Sequence, residues 1–316
     1  MRSSDLPFSD LVACAVHAPS VLNTQPWRFA LGDGTVRLYA DRSRQLRALD
    51  PDGRDLVVSC GAALFYLRTA ARHVGLAPLV DVLPDRDDPD LLAAVRFVPE
   101  PPPADGRLFR ALSARHTNRH PFADAAIPAE AARAMADAAS EEGTHLYVLT
   151  EWEDRAAVAH LVAQGAAAQS YDPDVSDDLR AWLRADADPR PDGVRDGLQG
   201  EWDRRTTLRT PISAFAANKG DLVRAAPAVG VVTTEGDGTA DWLAAGQALA
   251  HVLVVAADRG ISASFANEPV EVEGLRGRLA ARLGAGFPQV AFRLGYPGPE
   301  GGAPRRPAHA VIDDAR

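Results

Sequence analysis

Lysine is nearly missing from this sequence. Of 34 basic residues only Lys219 is a lysine, and the rest are arginine. A Schiff-base amine or a phosphate-binding P-loop would have to use that residue. It follows Asn218 outside any GxxxxGK[ST] context, so both chemistries are set aside. Arginine in place of lysine, with abundant alanine, glycine and proline, reads first as the coding bias of a GC-rich genome. Cysteine is as scarce. Cys14 and Cys60 are the only two, and without CxxC spacing they offer neither a metal cage nor a disulfide framework. Met1–Asp10 has no cationic segment leading into an apolar core, so no secretory signal is expected. No run of about 18 uncharged apolar residues occurs, so no membrane span is expected and cytoplasmic residence is the default. Positive charge is also short: the net charge is −9. A large nucleic-acid footprint needs a clustered basic face and is not expected, whereas one small anion held in a local arginine pocket remains compatible.

What is present is an ordinary globular composition, 46% hydrophobic and 24% charged over 316 residues. That supports a sizeable core. Phe8–His17 reads as a helix that ends before Pro19, because proline disfavours a helical residue ahead of it. Trp27–Leu31 and Val36–Tyr39 read as strands across Gly32-Asp33-Gly34. Asp55–Val74 and Asp241–Arg259 read as long helices, apolar on most faces, as centrally buried helices are. Further strands are expected at Leu79–Leu83, Val95–Val98, His145–Thr150, Ala228–Thr233 and Pro288–Gly295. Further helices are expected at Gly106–Ala114, Pro128–Glu142 and Asp154–Gln169. The proline run Pro99–Pro103 marks the clearest boundary. Tyr171–Thr210 reads as a helix near Ser176–Ala185 with long connections. The class is α+β, with mixed β-sheets packed with helices.

An internal repeat sharpens this. Gly61-Ala62-Ala63-Leu64 leads to Gly75, and Gly246-Gln247-Ala248-Leu249 leads to Gly260, with Ala71 and Ala256 at matching offsets. Each helix is followed by a strand-like segment, a charged helical stretch and another strand. The small residues would let the two helices approach closely. The match predicts an internally duplicated pseudo-dimer around two long central helices, with halves at 1–100 and 104–316.

Two segments carry candidate chemistry. Ala18-Pro19-Ser20-Val21-Leu22-Asn23-Thr24-Gln25-Pro26-Trp27-Arg28-Phe29 presents hydroxyl and amide groups that both donate and accept. On the residues alone it fits a heteroaromatic ring edge or a helix-capping turn equally well. In Arg115-His116-Thr117-Asn118-Arg119-His120-Pro121-Phe122, two arginines four apart with a hydroxyl between can grip a phosphate, or can form a solvated basic turn. No Asp, Glu or Cys completes a ligand set with His116 and His120, so no metal is expected. A third pair, Arg305 and Arg306, matters only if the chain folds back toward Arg115.

The first segment resembles the APSxxNxQPWxF signature of FMN-dependent nitroreductases. The second is similar to their RxSxR phosphate segment, and the third to their basic C-terminal arm. The order of the first two is reversed here, so each expected half keeps one part of a single flavin site. With Asp241–Leu249 and Arg293–Pro297, this resembles the Acg-type branch, in which the site is capped by a lid-like segment. The resemblance covers essentially the whole chain and implies a nitroreductase-like fold with FMN as cofactor.

Carried over residue by residue, the resemblance implies that Arg115, in the segment with His116, binds the phosphate with Arg305 or Arg306 as a second cation. Thr117 would meet the ribityl or phosphate region. Arg119 would lie nearer the ring carbonyls, where a cation favours the charge added on reduction. Pro19, Ser20 and Asn23 would approach the ring from the other half, and backbone N–H groups of Phe265, Ala266, Asn267 and Glu268 would approach flavin N5. No side-chain catalytic base is expected, since flavin N5 is the reactive atom. Gln25, Trp27 and Cys60 are expected to be structural, and His17, His73 and His251 to be surface or satisfied core residues.

The implied function is NAD(P)H-dependent reduction of a nitroaromatic, quinone or related small acceptor. The alternatives are an FMN-sequestering protein with little turnover, and a protein without cofactor. Tyr171–Thr210 reads equally as a cover over the site or as surface connection. One chain suffices for one flavin site, and a homodimer stays open.

Overall fold

The computed structural model describes residues 8–195, 219–284, 286–298 and 301–313. The elements in chain order are α1 (Phe8–Ala15), β1 (Trp27–Gly32), β2 (Thr35–Ala40), α2 (Arg54–His73), β3 (Leu76–Val82), β4 (Leu91–Pro99), α3 (Arg107–Ala114), α4 (Ala129–Glu141), β5 (His145–Leu149), α5 (Trp152–Tyr171), α6 (Pro173–Trp182), β6 (Leu183–Arg184) and β7 (Val194–Arg195). They continue with α7 (Lys219–Ala225), β8 (Ala228–Thr234), α8 (Thr239–Ala257), β9 (Ser262–Phe265), α9 (Glu268–Glu271), α10 (Leu275–Leu283), β10 (Phe287–Gly295) and β11 (Ile312–Asp313). The fold is α+β, as the sequence pattern predicts.

Two main sheets are present, ordered β11-β1-β2-β4-β3 and β5-β8-β10-β9. Their sequences differ as their surroundings do. Along β2, apolar Val36 and Leu38 are buried while Arg37 and Tyr39 are partly exposed, the alternation of a sheet covered on one face. Ala228–Thr234 in β8 is buried at every position, because helices cover both faces of the second sheet. Pro78 is tolerated because β3 is an edge strand.

Helices α2 and α8 cross at the repeated motif. A Cβ added at Gly61 would be driven into the Leu243 carbonyl oxygen and lie 3.0 Å from Gly246 Cα. One added at Gly246 would be driven into the Val58 carbonyl oxygen. Leu243 and Val58 stand at the same offset before their glycines, so each helix offers the other the same close contact. Glycine is required here for approach rather than for a turn.

Several expectations need correction. The charged stretch after β3 is a bend near Asp85–Asp90 rather than a helix, and β4 pairs directly back onto β3 from Leu76↔Pro99 to Val82↔Ala93. Pro99 is the last residue of β4. The strand β11 was too short to read in sequence. It pairs parallel to β1 at Phe29↔Ile312, so the half expected at 104–316 lends a strand to the sheet of the half expected at 1–100. Among the described residues α8 is the one helix long and apolar enough, by length and composition, to cross a membrane. In this fold it is packed against α2, with Leu243–Ala256 contributing to two of the cores.

Candidate functional site

The chain from α1 to β1 passes through a short, strained loop. Leu22, Asn23 and Gln25 all have left-handed backbones, at φ 43°, 54° and 51°. Such conformations are costly for residues with a Cβ and persist only where the surroundings fix them. Here they are fixed from several sides. Val21 N–H donates to Ser59 Oγ on α2 (3.1 Å), and Gln25 N–H donates to Ser20 Oγ (2.9 Å). Gln25 is fully buried. Its amide donates to Pro191 O (2.8 Å) and accepts from Arg306 N–H (2.7 Å). Asn23 donates to Gly193 O (3.0 Å) and Pro304 O (3.1 Å) and accepts from Arg305 (3.0 Å).

The chain does fold back, as the third basic pair requires. Arg115 sits at the end of α3, buried, with its Nε donating to Tyr66 Oη (2.9 Å) and Nη2 to His17 O (3.4 Å). The segment after it docks on the second sheet, where Asn118 N–H donates to Ala263 O (3.0 Å). Arg293 of β10 holds it from beneath. It donates to His120 O (2.8 Å) and lies 4.4 Å from the Phe122 ring centroid.

These parts enclose one cavity of about 1700 Å³, counting the space open to solvent. Of the residues expected from sequence, Pro19, Ser20, Asn23, Arg115, His116, Thr117, Arg119, Phe265, Ala266, Asn267 and Arg305 line it. Arg306 does not. Its guanidinium instead donates to Gln25 O (3.2 Å) and Ala310 O (2.6 Å), which makes it a clasp on the strained loop. Two other roles are narrower than expected. The Asn23 amide is committed to protein partners, and the Ala266 N–H is spent on Ala291 O (2.9 Å). Asn267 also turns its side chain to the protein, donating to Asp55 (3.2 Å) and accepting from Ala291 N–H (3.0 Å).

The electrostatics fit an anion. Among the described residues no carboxylate forms an ion pair with Arg115 or Arg305. Burial, and then the Arg115 charge, lower the Arg305 guanidinium to about 10, with Arg119 adding to the effect. The Arg305 Nε is buried without a hydrogen-bond partner. His17 is held below the usual imidazole range by burial, then by Arg305, Arg115 and His116. An anion placed among these groups would satisfy the orphaned donor and relieve the mutual repulsion.

Sequence reasoning missed Tyr66, His17 and Ser59 as supports, and Arg293 as the brace of the arginine segment. It also missed an acidic wall of Asp55, Glu268 and Glu271, which lines the same cavity beside Lys219 and Gln169. The described part of the expected cover, 171–195, packs beside the strained loop. Asp178 accepts from Ala48 N–H (2.7 Å) and Leu49 N–H (3.1 Å), and Leu179 lines the cavity. Residues 196–210 of that expectation lie outside the described residues. His73 stacks on Phe109 and His251 on Phe65, with centroids 3.9 and 4.7 Å apart. Cys60 is buried against Pro26 O (3.3 Å).

No family model matches the chain. Similarity to known proteins is nonetheless extended. A Mycobacterium tuberculosis protein with the provisional name NAD(P)H nitroreductase is 29% identical over 298 residues, spanning 90% of this chain and 84% of the relative. A second, with the same provisional name and called Acg, is 28% identical over 313 residues, spanning 95% and 93%. Among solved structures, a nitroreductase with bound FMN from Desulfitobacterium hafniense aligns over 66% of this chain and 98% of its own, with TM-score 0.45 and 15% identity. The chain is thus similar over most of its length to these nitroreductase-named mycobacterial proteins, Acg among them.

Proposed function

We propose that the chain is an FMN-dependent oxidoreductase of nitroreductase type. It draws reducing equivalents from NAD(P)H and passes them to a small acceptor such as a nitroaromatic or a quinone. The observation that carries this reading is the unneutralised arginine cluster with its orphaned Arg305 Nε, lining one cavity together with the Pro19–Asn23 loop. Arg115 and Arg305 would hold the phosphate, and Thr117 the region next to it. Arg119 would supply positive charge near the ring carbonyls. Ser20 and the Asn267–Glu268 backbone would approach the ring from opposite sides. Bound FMN supplies hydride chemistry, so the protein needs no nucleophile of its own. The chain's share is to bind and orient the ring and keep bulk water from it. Both parts of this site come from one polypeptide. That supports the reading of two fused halves, 1–100 and 104–316, each giving a complementary part of one flavin site.

A second reading, retention of FMN with little turnover, is favoured by one feature. The segment from α6 to β7 is bonded to the loop through Asn23 and Gly193 and to 48–49 through Asp178, closing one side of the cavity. The visible spectrum of the purified protein, followed anaerobically with NADPH and then NADH, separates the two. Flavin bands that bleach within seconds support the oxidoreductase. Bands that neither nicotinamide bleaches support retention. Protein that takes up no FMN overturns both.

A further inference from the structure

The same cavity is also lined by carboxyl groups. Asp55 comes from α2, and Glu268 and Glu271 from the single turn of α9. Their partners differ. Asp55 pairs with Arg54 (2.9 Å) and accepts from Asn267 (3.2 Å). Glu268, whose side chain is 2% exposed, pairs through Oε1 with Lys219, while its Oε2 is buried without a partner. Glu271 is half-buried and accepts the Gln169 amide of α5 at 2.7 Å. Among the described residues no cation forms an ion pair with it.

Among the described residues, the charged groups on the elements packed around α9 leave this position short of positive charge. Lys219 of α7 is engaged by Glu268. On α10, Arg276 turns to Asp237 (2.6 Å), Arg278 to Gln164 (2.6 Å) and Arg282 to Asp154. On β10, Arg293 turns to His120 O. Asp55 and Glu268 thus face Glu271 as like charges, with Lys219 only partly offsetting them.

We propose that Glu271 is a proton-donating residue of the acceptor pocket, placed on the cavity wall beside Asp55 and Glu268 to protonate the acceptor as it is reduced. This rests on the FMN-dependent reading above. Burial, then Asp55 and Glu268, push the Glu271 carboxyl up to about 8, so it carries its proton at neutral pH. Hydride addition to a neutral acceptor leaves a negative charge that one proton balances. With FMN supplying the hydride, a quinone would take the balancing proton from the Glu271 carboxyl and become the quinol. Glu271 is left as a carboxylate and regains its proton from solvent. The Gln169 amide fixes the carboxyl and Glu268 keeps the local field negative, which holds the proton on Glu271 until the acceptor takes it.

The test uses the FMN-loaded protein and its Glu271→Gln and Glu271→Asp variants, with a quinone as probe. Reduced wild type should lose single-turnover rate as the pH passes through about 8. Glu271→Gln should be slower by about 100-fold below pH 8, within the usual range for general-acid catalysis, and should lack that inflection. Glu271→Asp should restore part of the rate and the inflection. Independently of turnover, pH-difference infrared spectra should show a carboxylic-acid signal that disappears near pH 8 in wild type and is missing in Glu271→Gln. Flavin-loaded Glu271→Gln with the wild-type pH profile, or wild type without that signal, overturns the proton-donor role and leaves the flavin reading intact. Protein that takes up no FMN overturns the flavin reading, and the proton-donor role falls with it.

Discussion

The two charged walls of the cavity are built in opposite ways. On the arginine side, Arg115 and Arg305 are buried or half-buried with backbone, hydroxyl and amide partners and, among the described residues, no acid, so positive charge is left over. On the acidic side, Asp55 and Glu268 each have a cation, and the surplus carboxyl of Glu271 is left to a neutral amide. The first arrangement favours an anion. On the acidic side the Glu271 carboxyl is pushed up by burial and then by Asp55 and Glu268, which favours its protonated form. One cavity therefore offers a permanent positive end and a titratable end.

Both walls depend on the crossing of α2 and α8, since Asp55 and Ser59 ride on α2 and Leu249 on α8. Gly246→Ala is the most severe way to break the comparison. A Cβ there meets the Val58 carbonyl oxygen with no flexible side chain to yield. A loss of about 3 kcal/mol or more is expected in denaturant unfolding, with both walls failing together. Next, Arg115→Ala should weaken FMN binding by roughly tenfold to 150-fold, as expected for the loss of about 1.5–3 kcal/mol of charge-assisted bonding. Arg306→Ala, outside the cavity, should cost clearly less. Equal losses from the two would contradict the placement of Arg306 as a clasp. Equilibrium titration with FMN reads both.

A smaller effect is expected from Asp50, just outside the cavity. It caps α2, accepting Asp55 N–H (3.1 Å) and Leu56 N–H (2.9 Å). Burial, then Asp55, raise its carboxyl to about 7. The unfolded chain gives up this proton near pH 4. The stability linked to it is therefore full below about 4 and lost as pH rises through about 7. Thermal midpoints across that range should fall with pH in wild type, and less steeply in Asp50→Asn. Smallest of all, Cys60→Ser should leave flavin affinity and any turnover near wild type, because burial raises the thiol and keeps it inert. A large loss of turnover with the fold intact would contradict that.

The contrast between the walls is also a contrast in legibility. The arginine side was readable because Arg115 to Arg119 and Pro19 to Trp27 are contiguous, and proximity in sequence makes a motif. The acidic side unites Asp55 with Glu268 and Glu271, more than 200 residues apart, and only the helix crossing brings them together. The spacing of Glu268 and Glu271 gave a faint signal, since residues three apart share a helix face. Lys219 stood out as the only lysine, but nothing around it in sequence points to Glu268. The helices and most strands followed from apolar periodicity and glycine or proline stops. Strand β11 did not, because two residues carry no pattern and its pairing with β1 is set by distant packing.

The clasp on the strained loop has a consequence for how the protein is made. Asn23 meets Arg305 across 282 residues of chain. At about 5–20 residues per second, the loop leaves the ribosome on the order of 15–60 s before its clasp exists. During that interval Asn23 and Gln25 lack the part of their clasp supplied by Pro304, Arg305 and Arg306. On the proposed reading, flavin loading is therefore post-translational. Nascent chains stalled before Arg305 should retain no FMN, and chains read through it should, so cofactor retention would mark a completed polypeptide.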